Sequence, residues 1–262
     1  MLKHQVRFSY YLLTYEINMI GLTMAKETIL AIQNSSFEHL GTLQSMFEKD
    51  GFAIDTVIPS KGHKVPTKLN DYLALVILGG PASVYDDHQY LKEEERLIKD
   101  AMTNNIPALG ICLGSQLIAK ASGARVYNGA RVYKGARKEI GWYPVELTQD
   151  GMSDIFKGLK KNVIVFQWHG DTYDLPPHAI NLAKSDLYPV QAFRVKSAIG
   201  IQFHLEVSKE MVMDWIIEYE DELKSVSDYI RVNDIIKGFN TNSDKLKECS
   251  RVLYTNFKNL IN

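Results

Sequence analysis

Cys112 stands in the run Gly110-Ile111-Cys112-Leu113-Gly114, with glycine two positions before it and two after. The residues before it, Ile106 to Ile111, read as a short apolar strand, and a helix is expected to start at Leu113. Strand, sharp turn and helix in that order predict a nucleophile elbow, which lifts one side chain above the strand ends. Gly110 and Gly114 lack Cβ atoms, so neighbouring backbone can pass close to the strained residue. The free N–H groups and positive dipole end of the following helix face the sulfur, so thiolate is expected to be favoured over thiol. The competing reading is a buried structural cysteine, common for a lone Cys in an apolar run.

A thiolate nucleophile needs a proton-transfer partner, and that partner needs an orienting group. The chain has seven histidines. His4, His39, His63 and His88 have no special context, and His178 follows Pro176-Pro177 in a loop read as structural. His204 differs, because it ends the apolar run Ile199-Gly200-Ile201-Gln202-Phe203 and has Glu206 two residues on. A carboxylate there can hold the imidazole tautomer and stabilise its charged form. Gly79-Gly80-Pro81-Ala82-Ser83 closes another strand. Backbone N–H groups at Gly80 and at Leu113 are the candidate oxyanion hole; without the cysteine, Gly-Gly-Pro would be a plain tight turn. Trp168-His169-Gly170-Asp171 ends a further strand, where its loop can line the same pocket, with a simple turn as the alternative. No Gly-Lys-Ser/Thr follows the glycine pair, so a nucleotide P-loop is not supported. The clustered Cys/His spacing of zinc sites is also missing, and neither metal nor cofactor is expected.

These residues need a scaffold that brings strand ends together. Apolar runs at Thr28 to Ile32, Phe52 to Ile58, Tyr72 to Leu78 and Ile106 to Ile111 alternate with helical spacings over Phe37 to Lys49 and Tyr90 to Met102. Such alternation predicts an open, mostly parallel α/β sheet, whose function gathers at the carboxyl ends of its strands. Beyond the elbow, strands are expected over Arg125 to Tyr133, Ile140 to Leu147, Asn162 to Gln167, Ala179 to Lys184, Val190 to Val195 and Ala198 to Phe203. From Ser208 the chain reads as helix, broken at Gly238-Phe239-Asn240 and resuming over Asp244 to Leu260. The expected organisation is an arm at residues 1–23 (or an over-long start before Met24), one α/β domain at 24–207 and a helical extension at 208–262.

Composition fits that plan. The 262 residues are 45% hydrophobic and 23% charged, ordinary for a globular chain. A formal net charge of -1 gives no electrostatic case for nucleic acid. No apolar run is long enough to span a bilayer. Two cysteines without a secretory signal point to a reducing cytoplasm.

Four segments in fixed order then carry a resemblance. Gly79-Gly80-Pro81-Ala82-Ser83-Val84-Tyr85, Gly110-Ile111-Cys112-Leu113-Gly114-Ser115-Gln116, His169-Gly170-Asp171 and Gln202-Phe203-His204-x-Glu206 together resemble class I glutamine amidotransferases. The first looks like the amidotransferase domain of GMP synthase. Lys138-Glu139-Ile140-Gly141-Trp142 and Trp168-His169-Gly170-Asp171-Thr172 look like the stand-alone, GMP-synthase-like branch. The resemblance implies a flavodoxin-like sheet and a Cys112-His204-Glu206 triad that hydrolyses the glutamine side-chain amide through a γ-glutamyl thioester. It also implies an oxyanion hole at Gly80 and Leu113, and places Gln116, Gly170 and Asp171 near the bound glutamine with His169 beside them. No Ser-Gly-Gly-x-Asp-Ser phosphate loop occurs in the sequence, so ammonia is expected to serve a separate synthetase. A γ-glutamyl hydrolase or peptidase would use the same residues, and a non-catalytic regulatory homologue is the third reading.

Overall fold

The computed structural model describes residues 27–128 and 137–261. The expected arm at 1–23, and the part of the Arg125-to-Tyr133 strand beyond Asn128, lie outside the described residues. The elements run β1 (Thr28–Ile32), α1 (Thr42–Lys49), β2 (Ala53–Val57), β3 (Ala74–Ile77), α2 (Gln89–Asn104), β4 (Ala108–Ile111) and α3 (Leu113–Ala121). Next come β5 (Val126–Asn128), β6 (Glu139–Leu147), α4 (Gln149–Ser153), β7 (Asn162–His169), β8 (Asp171–Tyr173), β9 (Ile180–Lys184), β10 (Ala192–Val195) and β11 (Ala198–Ile201). Helices α5 (Lys209–Glu218), α6 (Glu220–Ser225) and α7 (Val232–Ile261) follow.

Nine strands form one open sheet in the order β2-β1-β3-β4-β11-β10-β9-β6-β7. The half from β2 to β11 is parallel, and from β11 to β7 every neighbour is antiparallel. Four antiparallel steps return β7 to the direction of β11. Ile32 lies opposite Ile77, Ile77 opposite Gly110, and Ile111 opposite Ile201, so the parallel strands end level. The loops after β1, β3, β4, β11 and β7 therefore leave from one edge. Short β5 and β8 form a separate antiparallel pair.

The strands are apolar on both faces because both faces are covered. In β1, Ile29 and Ala31 join one core while Leu30 and Ile32 join the other. The first core takes in α1 and the C-terminal helices through Phe47, Trp215, Phe239, Leu253 and Phe257. The second takes in α2 and α3 through Leu97, Ile98, Leu117 and Ile118. The helical extension thus packs directly on the sheet.

Two expectations are corrected. The helix read from Phe37 begins only at Thr42, because Gly41 adopts φ 52°, a left-handed conformation. A Cβ on Gly41 would lie 2.0 Å from the Glu206 carbonyl oxygen. The Thr42 N–H donates to that same oxygen at 2.8 Å. Gly238 does not break the last helix, which runs unbroken through it. A Cβ there would lie 2.1 Å from Trp142 Cδ1, and the Trp142 indole N–H donates to the Ile235 carbonyl at 2.9 Å. The glycine marks a close helix–sheet approach rather than a stop.

One buried carboxyl makes stability depend on pH. Glu94 on α2 is 0% exposed; Asn34 Nδ2 donates to its Oε2 at 3.2 Å, and its Oε1 has no partner. Burial raises its pKa from 4.5 to about 8, against the opposing Asn34 hydrogen bond. Between those pH values the folded chain holds a proton that the unfolded chain has lost, so stability falls as pH rises from 4.5 to about 8. Glu94→Gln removes this titration and keeps an oxygen for Asn34 Nδ2. We expect it to raise stability at pH 8 by roughly 3–5 kcal/mol and by much less near pH 5. Urea midpoints at the two pH values check this; equal gains at both would rule out the titration.

Candidate active site

Cys112 caps α3 with φ 52° and ψ -110°, the sharp turn that the flanking glycines predicted. A Cβ on Gly110 would lie 2.4 Å from the Gly114 carbonyl, and one on Gly114 would lie 2.1 Å from the Ile77 carbonyl. Neither position tolerates a side chain, so α3 presses close against β3 and β4. The Cys112 N–H donates to the Ile201 carbonyl at 2.9 Å, which ties the elbow to β11. The Cys112 thiol lies 3.6 Å from the Trp168 carbonyl, and Gln202 Nε2 lies 3.7 Å from the sulfur.

His204 follows β11 and is fixed from two sides. Its backbone N–H donates to the Phe166 carbonyl on β7 at 2.8 Å. Its Nδ1 lies 2.6 Å from Glu206 Oε1, and the Leu205 N–H donates to Glu206 Oε2 at 3.0 Å. The imidazole packs edge-on against Trp215, with ring centroids 4.9 Å apart. His204 Nε2 is buried without an N or O partner and is the ring atom left for the sulfur. Cysteine and imidazole are close enough that each shifts the other's titration.

The expected thiolate needs correction. Burial pushes the Cys112 thiol above its ordinary range, and the pull of His204 and of the Leu113 N–H does not overcome it. The helix-terminus effect is present but smaller than desolvation. For His204, burial disfavours the charged ring, yet Glu206 and Cys112 together hold its pKa well above the usual value. Glu206 thus raises the affinity of the His204 ring for a proton, which favours its transfer from the Cys112 thiol. Such a pair can transfer the proton as the sulfur attacks, with the carboxylate holding the ring.

A cavity of about 420 Å³ opens over Cys112. Gly80, Leu113, Gln116, His169, Gly170 and Asp171 line it together with Cys112, while His204 and Glu206 lie behind its wall, outside the lining. Ser83 Oγ donates to Asp171 Oδ2 at 2.8 Å, and Gln116 Nε2 to Gln202 Oε1 at 3.3 Å. The His169 ring is already occupied. Its Nε2 lies 3.0 Å from buried Glu139 Oε2 and its Nδ1 2.9 Å from the Asp171 carbonyl. That ring braces the Gly170-Asp171 turn.

The family model of class-I glutamine amidotransferases matches residues 35–216. The chain belongs to the class-I glutamine amidotransferase family. A glutamine amidotransferase-like protein of Salmonella typhimurium is 32% identical over 73% of this chain and 81% of its own length. A glutamine-hydrolysing GMP synthase subunit from Pyrococcus furiosus is 38% identical, over 44% of this chain and 58% of its own. The GMP synthase of Thermomicrobium roseum is 37% identical over 51% of this chain, but the match spans only 23% of that protein. Among solved structures, a glutamine amidotransferase from Thermotoga maritima superposes with TM-score 0.79 at 34% identity, covering 90% of this chain and 98% of that one. A second, from Methylobacillus flagellatus, reaches TM-score 0.81 at 23% identity and supports the fold.

One wall of this family site was not foreseen. Beside the expected Trp168, the residues Glu38, Trp215, Tyr219 and Glu222 also line the cavity, and three of these four come from α5, α6 and the link between them. Trp168 Nε1 donates to Glu222 Oε2 at 2.9 Å, and Lys138 Nζ to Glu222 Oε1 at 2.6 Å. In the sequence, Trp215 and Tyr219 read as core-facing members of an apolar stripe, and Glu38 as one turn of a helix. Nothing in the local pattern separates them from ordinary packing. Among the described residues, no helix is long and apolar enough to cross a membrane.

Proposed function

We propose that this chain hydrolyses the side-chain amide of glutamine to glutamate and ammonia through a γ-glutamyl thioester on Cys112. The observation that carries the reading is the alignment of a left-handed elbow cysteine with an imidazole held at 2.6 Å by a buried carboxylate. His204 Nε2 takes the thiol proton as Cys112 Sγ attacks the carboxamide carbon. Backbone N–H groups at Gly80 and Leu113 receive the oxyanion. The tetrahedral intermediate collapses: the C–N bond breaks, His204 returns its proton to nitrogen, and ammonia leaves. Water then attacks the thioester, giving its proton to His204, and the sulfur departs to regain that proton. Glu206 holds Nδ1 throughout.

Gln116, Gly170 and Asp171 bind the amino-acid end of glutamine, and His169 acts by bracing the turn. The ammonia serves a separate synthetase; the relative from Pyrococcus furiosus, named as one subunit of a GMP synthase, supports this arrangement. Hydrolysis of larger γ-glutamyl compounds is the second reading. The cavity leaves room for it, because its volume of about 420 Å³ is bordered by Trp168 and Glu222 as well as by Cys112 and Asp171. Ammonia release from glutamine and amino-acid release from γ-glutamyl dipeptides, measured with the purified full chain, separate the two. We expect the glutamine kcat/KM to exceed that of the dipeptides by at least about tenfold. Fast dipeptide turnover beside negligible glutamine turnover would sink the amidotransferase reading, and no turnover of either would point to the regulatory homologue.

A further inference from the structure

Glu38 takes no part in the steps above, yet it stands beside the nucleophile. Its side chain is more than nine-tenths buried, with the residue 7% exposed. Oε1 accepts the Tyr219 hydroxyl at 2.8 Å. No hydrogen bond reaches Oε2 from the described residues, and the side chain lines the cavity. Gly79 makes room for it: a Cβ there would lie 2.0 Å from Glu38 Oε2 and 3.4 Å from Cys112 Cβ. The carboxylate and the nucleophile therefore border the same missing methyl group.

Oε2 keeps some exposure to the cavity, so a bound ligand can supply its missing donor. Burial moves the Glu38 carboxyl up to about 7, while the His204 charge and the Tyr219 hydroxyl pull it down and Glu206 and Glu222 push it up. The neighbouring cation Lys138 is held by Glu222 at 2.6 Å. The N–H group that must come beside Cys112 is the scissile carboxamide itself. In the tetrahedral intermediate its nitrogen turns its lone pair toward His204 Nε2, which leaves its N–H bonds aimed away from the imidazole. As the C–N bond lengthens and the proton arrives, those N–H groups become stronger donors. An acceptor placed there binds the transition state more tightly than the substrate.

Resting on the glutamine-hydrolysing reading above, we propose that Glu38 is a further catalytic residue, whose carboxylate accepts a hydrogen bond from the scissile amide nitrogen and holds the ammonia as the C–N bond breaks. No atoms are exchanged with Glu38; the proton that completes ammonia comes from His204.

The test changes the leaving atom. Glutamine and the γ-methyl ester of glutamate form the same thioester, but the ester's leaving oxygen carries no N–H. In the full chain, Glu38→Gln is expected to lower kcat/KM for glutamine at least about 30-fold, the scale of a hydrogen bond to a charged group, and that for the ester by less than about threefold. Equal losses on both substrates would mean a structural role and overturn the proposal, as would no loss on either. A binding measurement covers the case in which the wild-type chain turns over neither substrate, which would remove the glutamine-hydrolysing reading itself. In Cys112→Ala protein, calorimetry is expected to show glutamine binding tighter than the ester, and Cys112→Ala/Glu38→Gln to remove that difference. Equal affinities in Cys112→Ala protein would overturn the role of Glu38.

Discussion

Cys112→Ala is expected to lower glutamine hydrolysis by at least about 10⁴-fold, because nothing else near the site can form the thioester. The second cysteine, Cys249, is buried on α7, and burial lifts its thiol to about 11. It belongs to the packing of Phe47 and the C-terminal helix, away from the cavity lining. The Glu206 hydrogen bonds to His204 and to the Leu205 N–H do not involve the sulfur, so the orientation of the imidazole survives and glutamine affinity should change by less than about tenfold. Steady-state ammonia release and calorimetric binding measure the two quantities. Cys112→Ser should also be strongly impaired, since a hydroxyl facing the same base is far harder to deprotonate than a thiol. Activity that survives Cys112→Ala would remove the sulfur from the mechanism and place the nucleophile in water.

The part of this site that was legible in the sequence is the part with local grammar. Gly110 and Gly114 flank a residue that must turn sharply, and their reason is steric: each would clash with backbone oxygen if it carried a Cβ. Level strand ends follow from apolar runs of similar length feeding one parallel half-sheet. His204 and Glu206 are two residues apart and meet through that short separation alone. What the sequence misreads depends on distant partners. Gly41 reads as part of a helix and Gly238 as a break, yet the first lies against the Glu206 carbonyl and precedes its helix, while the second packs on Trp142 within a continuous one. The titration of Cys112 depends on depth of burial, which no local pattern reveals, so desolvation outweighs a helix-terminus effect of the expected sign. Glu38 meets Tyr219 from 181 positions away, and only the folded chain puts that pair beside the sulfur.

The same long-range anchoring makes the C-terminal helices part of the chemistry. The Glu206 carbonyl accepts both the Thr42 N–H at 2.8 Å and the Thr42 hydroxyl at 3.2 Å. That hydroxyl lies 2.7 Å from Ser250 Oγ on α7. Trp215 on α5 packs against the His204 ring and donates its indole N–H to the Phe37 carbonyl at 2.6 Å. Helices outside the sheet therefore hold both the backbone of the orienting carboxylate and the face of the imidazole. They also place Tyr219 on Glu38.

Glu206→Gln tests that orientation with almost no change of shape. The two Glu206 oxygens have different partners: Oε1 faces His204 Nδ1 at 2.6 Å, and Oε2 accepts from the Leu205 N–H at 3.0 Å. A backbone N–H can only donate, so the oxygen of a glutamine side chain must turn to Leu205. Its NH₂ group then faces Nδ1 and donates to it. Nδ1 becomes an acceptor and the neutral ring carries its proton on Nε2, where it cannot take one from Cys112. The variant also removes the charge that holds the His204 pKa up. Both changes act on kcat, and a wrong-tautomer change of this kind lowers kcat by about 10⁴-fold in a Ser-His-Asp triad. The expected result is a loss of that size with KM shifted less than about threefold, and a folded chain by urea titration. The rate of Cys112 alkylation by iodoacetamide should fall in parallel, since it reads proton transfer from the thiol without any substrate. A glutamine kcat close to that of the unaltered chain would show that His204 holds its tautomer without Glu206.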